Sequence, residues 1–199
     1  MVDESLIKTF WKWFLEHEEL FFYYEKYQDK LLPIALDHLQ EIQGDLVFEV
    51  GPEIEGKREL IISANGMKEG FSSVIEVVKS SPDMERWTVI PFRQRKENLD
   101  LQIQMNELVL SPEDIFFSYE MQNGKIDLHL YIAGINPEDE DVYQVVLLIL
   151  DNVIGEYDVE MKLGDIDIFP LQDVKDPKEL LLLKDLPPII DLANHQTIN

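Results

Sequence analysis

Cysteine is absent from this 199-residue chain, which excludes disulfides, thiolate nucleophiles and zinc sites built on sulfur. Histidine occurs only four times, and His17, His38, His129 and His195 fall in no HExxH or HxH pattern. Long apolar runs are missing too. VVLLIL at 145–150 is far shorter than the roughly 20 residues a bilayer-spanning helix needs. The chain contains no GxGxxG, no complete Walker loop and no GxSxG elbow, so no motif names an activity. Basic residues are few, with 17 Lys and Arg against 40 Asp and Glu and a net charge of −23.

The charge deficit is uneven. Residues 1–96 carry 12 basic and 18 acidic groups, whereas 97–199 carry 5 and 22. Such a field repels phosphate backbones, so nucleic acid is not an expected partner. It favours a basic protein partner, and it equally serves solubility. The opening, MVDESLIKTF, has two acids before its first lysine and no apolar segment of the secretory kind. The expectation is a cytoplasmic protein with no membrane association, no cofactor and no metal.

Hydrophobic residues at 45% and charged residues at 29% describe a globular chain. Leu6, Phe10, Trp13 and Phe14 recur at helical spacing and predict a helix from Ser5 towards Leu20. A second helix is expected from a cap at Asp29, with Leu32, Ala35, Leu36, Leu39 and Ile42 on one stripe, Pro33 in its first turn and Gly44 at its end. The period then changes to two. DLVFEV (45–50) and RELIISA (58–64) read as an antiparallel pair, followed by a short helix from Phe71 and the strand WTVIPF (87–92).

The alternating LDLQIQM (99–105) follows the turn RQRKEN, and a second series comes after it. Segments 115–121 and 125–132 flank Asn123-Gly124, a strong hairpin signal. A helix is expected from a cap at Asn136 through to Gly155, then a strand over 158–168 with a bulge at Gly164, and a last short helix opened by Asp176 and ended before Pro187-Pro188. The two series share the order strand, strand, helix, strand, which suggests duplication of a ββαβ unit.

The fold expected is α+β: one domain over 1–199, with a largely antiparallel sheet of six or seven strands, two N-terminal helices and two strand-connecting helices. Its parts are a helical segment (1–44), two ββαβ units (45–96 and 97–172), and a C-terminal helix and tail (173–199).

Nine of the eighteen residues in FWKWFLEHEELFFYYEKY (10–27) are aromatic. Its polar positions are mainly glutamates, which anionic lipid repels. Packing accounts for one buried stripe. Trp11, Tyr23 and Tyr27 exceed that stripe, and Trp11 and Tyr27 become candidates for contact with a partner. This FWKWF opening, together with RELIISANG and SPDMERWTVIPFRQR, resembles an uncharacterised bacterial family. Its members combine an FWxWF helix, a strand ending in ISA-[ND]-G and a W-x-V-x-[AP]-F-[RK] strand. The resemblance covers residues 10–95 and implies no activity for any position.

Three groups carry candidate chemistry. His129 shares a strand face with Asp127 and Tyr131, where an imidazole beside a carboxylate suits a general base on an open sheet face, the basis of a hydrolase-like alternative. Arg93 and Arg95 fall on one side of an extended chain, as a fork for one anionic ligand requires. Asp165 and Asp167, two apart on one strand, are candidates for meeting a basic partner. A solvated face or local neutralisation produces the same patterns. The function expected is a non-enzymatic binding or regulatory protein, of inhibitor or immunity type.

Overall fold

The computed structural model describes residues 2–174 and 177–196. The fold is α+β, with six α-helices and nine strands among the described residues. The chain divides into two compact units, Met1–Arg93 and Gln94–Asn199.

In the first unit, Asp3 starts helix α1 (Glu4–Phe22) by accepting the Ser5 amide at 2.8 Å. The buried stripe is Ile7, Phe10, Trp11 and Phe14, continued by Phe21 and Phe22. Trp11 is therefore a core residue, and its expected role at a partner surface is overturned. With aromatics on several faces, two stripes had helical spacing. The one that buries gives the Trp11 indole N–H an acceptor, the Val77 carbonyl at 2.9 Å. That carbonyl's helical donor, the Ser81 amide, bonds Val78 instead. Trp13 is only half-buried and lies between His17 and His38, at ring distances of 4.7 and 4.8 Å.

Helix α2 (Gln28–Ile42) starts one residue before Asp29, which lies in its first turn and does not cap it. Pro33 sits deeper than expected, at an exposed position where its missing N–H deprives only the first-turn carbonyl of Asp29. Strands β1 (Val47–Val50) and β2 (Arg58–Ser63) pair antiparallel, as expected. Helix α3 (Phe71–Lys79) then leads to β3 (Trp87–Pro91), which lies parallel to β2. Leu60 and Ile62 enter the core with the α1 aromatics.

Two arginines answer the glutamates of the aromatic stretch. Arg58 pairs with Glu25 at 2.6 Å, donates to the Gly51 carbonyl at 2.8 Å, and lies 5.5 Å from the centre of the Phe22 ring. Arg86 lies 4.3 Å from the centre of the same ring and pairs with Glu18 and Glu19 at 3.1 and 2.7 Å. The hydrogen bond that Arg86 donates to Glu19 leads the causes that hold its guanidinium above the ordinary pKa.

In the second unit, only the end of LDLQIQM forms a strand, β4 (Ile103–Met105). It makes a hairpin with β5 (Leu108–Leu110) through Asn106, which has φ +52°. Strand β5 is not predicted by the sequence pattern. Strands β6 (Ile115–Gln122) and β7 (Lys125–Ile132) form the expected hairpin, with Asn123 and Gly124 both at positive φ, as a primed two-residue turn requires. Helix α4 (Glu140–Ile154) is capped by Asp139 and not by Asn136, whose side chain instead accepts the Glu138 amide at 3.2 Å.

The strand expected over 158–168 is corrected. Gly155, at φ +92°, turns the chain into a second helix, α5 (Glu156–Lys162), which buries Glu156 and Val159. Strand β8 (Leu163–Pro170) follows, parallel to β7, with a register shift opposite Asp127 that fits the expected bulge. Strand β9 (Leu181–Leu182) pairs with β6. The last helix, α6 (Leu186–Gln196), accepts Pro187 and Pro188 in its first turn, where a missing N–H costs nothing. The cap expected at Asp176 lies outside the described residues.

The single sheet of six or seven strands is replaced by sheets of three, two and four strands, ordered β1-β2-β3, β4-β5 and β8-β7-β6-β9. Pairing is largely antiparallel, but each larger sheet ends in one parallel pair because a helical crossover intervenes.

Trp11→Ala should cost about 3–5 kcal/mol in denaturant unfolding, and clearly more than Trp13→Ala. Equal costs, or a reversed order, would contradict the assignment of the buried stripe.

Candidate functional site

Alternation along β7 buries Ile126, Leu128, Leu130 and Ile132 and turns Lys125, Asp127, His129 and Tyr131 to the opposite face. The register extends this face across the sheet. Ser118, His129 and Asp167 form one cross-strand row, and Leu182, Phe116, Tyr131 and Phe169 form the next. Tyr131 and Phe169 stack at 5.6 Å with their planes 26° apart. Phe169 remains 39% exposed.

His129 faces Asp167 across the parallel pair, Nδ1 to Oδ2 at 3.5 Å, with the two side chains 30% and 55% exposed. Asp127, the partner expected for His129, is engaged elsewhere. Its Oδ1 accepts the Asp165 amide at 3.0 Å inside the bulge. A Cβ at Gly164 would overlap that carboxylate, so the bulge needs glycine there. The bulge thus moves the carboxylate role beside His129 from Asp127 to Asp167. Ser118, opposite His129 in the register, is a residue the sequence reading missed; only strand pairing could have found it. No hydrogen bond joins Ser118 to His129 among the described contacts.

Lys125, the basic residue at this end of β7, is turned aside. Its Nζ donates to the carbonyls of Glu160 and Leu163 at 3.3 and 2.9 Å, where α5 ends. Among the described residues, no lysine or arginine forms an ion pair with Glu120, Asp127, Asp165 or Asp167. Asp165 and Asp167 are both exposed.

The expected anion fork of Arg93 and Arg95 does not form. Phe92, at φ +61°, ends the extended geometry on which same-side placement relied. The Arg93 side chain is only 10% exposed and pairs with Glu49 at 2.5 Å, with a further bond to Asn65 Oδ1 at 3.3 Å. Arg95 contacts both Asp191 oxygens, at 3.1 and 3.0 Å. Tyr27 is exposed at 46%, as expected.

Near Arg95, burial pushes the Asp158 carboxyl above its ordinary pKa; Lys162 opposes the rise, Asp191 adds to it, and Arg95 opposes it.

Among the described residues, no group of three or more His, Asp and Glu side chains is placed to hold a metal ion. No described helix is long and apolar enough to cross a membrane. Three described concavities lie beside the start of β3 (lined by Met84 and Trp87), at the start of α4, and between α1 and α3. His129 lines none of them.

Two measurements test these contacts. Gly164→Ala should destabilise the protein by about 1–3 kcal/mol, and Asp127→Ala should remove most of that cost by emptying the space the new methyl needs. A cost unchanged by Asp127→Ala would sink the bulge account. For Asp158, a raised folded-state pKa means that the folded chain holds the proton more tightly than the unfolded chain. The favourable contribution is therefore complete below the unfolded value and is lost as pH rises through the folded one. Asp158→Asn should then stabilise the protein at neutral pH by under about 1 kcal/mol, since the group is part-exposed, and the gain should vanish in acid. A thermal-unfolding series against pH reads the difference.

Comparison with family models, with curated proteins and with solved structures finds no match for this chain.

Proposed function

We propose that this protein is a non-enzymatic binding protein, of regulatory, inhibitor or immunity type, whose second unit receives a basic protein partner on the outer face of the four-stranded sheet. The observation that carries the reading is the composition of that face. Glu120, Asp127, Asp165 and Asp167 lie on it without a lysine or arginine partner among the described residues, beside Phe116, Tyr131 and Phe169. Carboxylates next to aromatic rings suit a guanidinium, which takes two hydrogen bonds at its edge and stacks through its plane.

The charge of the unit supports the same reading. Gln94–Asn199 holds 7 Lys and Arg against 22 Asp and Glu. In each unit two antiparallel strands are followed by a helical crossover, of one α-helix in the first unit and two in the second, to a strand that pairs parallel. That shared order supports an internal duplication in which the second copy acquired the acidic face. The hydrolase-like alternative has less support, because His129, although it lies beside Asp167, lines none of the described concavities.

The test is affinity capture from the native cell with the wild-type chain and with the double reversal Asp165→Lys/Asp167→Lys, each at low and high salt. The fold should survive, because exposed substitutions usually shift stability by about half a kcal/mol or less. The wild type should recover a basic protein that the reversal loses and that salt weakens, with association slowed more than dissociation is quickened. Undiminished recovery by the reversal, with unchanged salt dependence, would overturn the proposal.

A further inference from the structure

We propose that the partner binds by strand addition, laying an extended segment of alternating basic and apolar residues along the free edge of β8. This inference rests on the acidic-face reading and adds to it the partner's conformation and sequence pattern.

Strand β8 lies at the end of the order β8-β7-β6-β9 and, among the described residues, pairs only with β7. At eight residues it is a long edge, whereas the opposite edge strand, β9, has two. Leu163 donates its amide to the Val159 carbonyl where α5 ends, but no described backbone hydrogen bond outside the β7 ladder engages Asp165–Pro170, so the outer amides and carbonyls there have no described backbone partner. Such a row is a template for another strand unless something guards it. Proline is confined to the last position, Pro170, and the bulge to the start of the strand at Gly164, which leaves the middle unguarded by backbone devices.

Side chains decide which strand fits. Asp165, Asp167 and Phe169 are exposed, while Ile166 and Ile168 are half-buried against the rim of the core. A second copy of this chain pairing edge to edge would set the Asp165 and Asp167 carboxylates against their counterparts, an arrangement that like charge disfavours. An incoming strand with Lys or Arg on the outer face would place those cations beside Asp165 and Asp167. Its alternate apolar residues would then fall on the inner side and extend the half-buried Ile166 and Ile168. Main-chain bonds supply affinity in this mode, and the alternating side chains supply selection.

The probe is a fluorescent peptide of alternating lysine and valine, titrated into the full chain. Two derivatives accompany it, one N-methylated at every lysine and one at every valine. An added strand bonds β8 through one edge only, so one derivative should lose at least about tenfold in affinity while the other binds like the parent. Amide exchange should slow on binding within 163–170, and Asp165→Lys/Asp167→Lys should weaken the parent peptide. Absence of parent binding overturns strand addition, as does loss of binding by neither derivative or by both. If neither derivative loses affinity while the double reversal still abolishes binding, strand addition fails and the acidic face stands. If the reversal has no effect on either the peptide or the captured partner, the acidic face fails with it.

Discussion

The bond from the Asp165 amide to the Asp127 carboxylate fixes the phase of β8, and the chemistry of the outer sheet face follows from that phase. Side chains along a strand alternate, so a slip of one residue would exchange its two faces. With the bulge in place, Ile166 and Ile168 face the core, while Asp167 lies beside His129 and Phe169 beside Tyr131. Without it, aspartates would face the Ile126–Ile132 row, where unpaired carboxylates cost several kcal/mol each. Gly164 permits this arrangement because any larger residue would meet the carboxylate that holds the bulge.

Charge is divided by a related economy. In the first unit, Arg58, Arg86 and Arg93 each pair with glutamate, and two of them also lie over Phe22. Arg58 is nearly buried, so its carboxylate partner and its carbonyl acceptor are needed to offset desolvation. The aromatic stretch thus accounts for its own glutamates. In the second unit, Arg95 is held by Asp191, Lys184 by Glu113, and Lys125 by helix-end carbonyls. These three cations are engaged locally, whereas several acids on the sheet face have no described cationic partner, and a charge surplus concentrated on one face selects partners more sharply than the same surplus spread evenly.

What was legible in the sequence follows from how local each signal is. Asn123-Gly124 encodes its turn in two residues, and the β6–β7 hairpin formed where expected. The helical spacing of Val142, Val145, Val146 and Ile149 is an equally local signal, and these residues form the buried side of α4. The first helix was read as a helix but rotated, because hydrophobicity alone could not separate Trp11 from Trp13; a carbonyl 66 residues away separates them. Asp158 to Lys162 read as strand because the turn at Gly155 and the burial of Glu156 depend on the folded context. The Arg93–Arg95 fork failed for a similar reason, since a positive φ at Phe92 carries no clear sequence mark. His129 was placed on the correct face with the wrong carboxylate, because cross-strand neighbours are fixed by register.

The same register ties the acids of β8 to two roles that need not conflict. Aspartates along an edge discourage like edges from pairing, which protects an otherwise unguarded strand of eight residues. They achieve this by repulsion and not by blocking the backbone, so the hydrogen-bonding groups remain available. Proline or a second bulge in mid-strand would have closed the edge to every partner. Charge closes it only to acidic or identical strands and leaves it open to a basic one. An edge guarded in this way discriminates by sign, and its tolerance should narrow as salt is lowered, because screening weakens repulsion and attraction together.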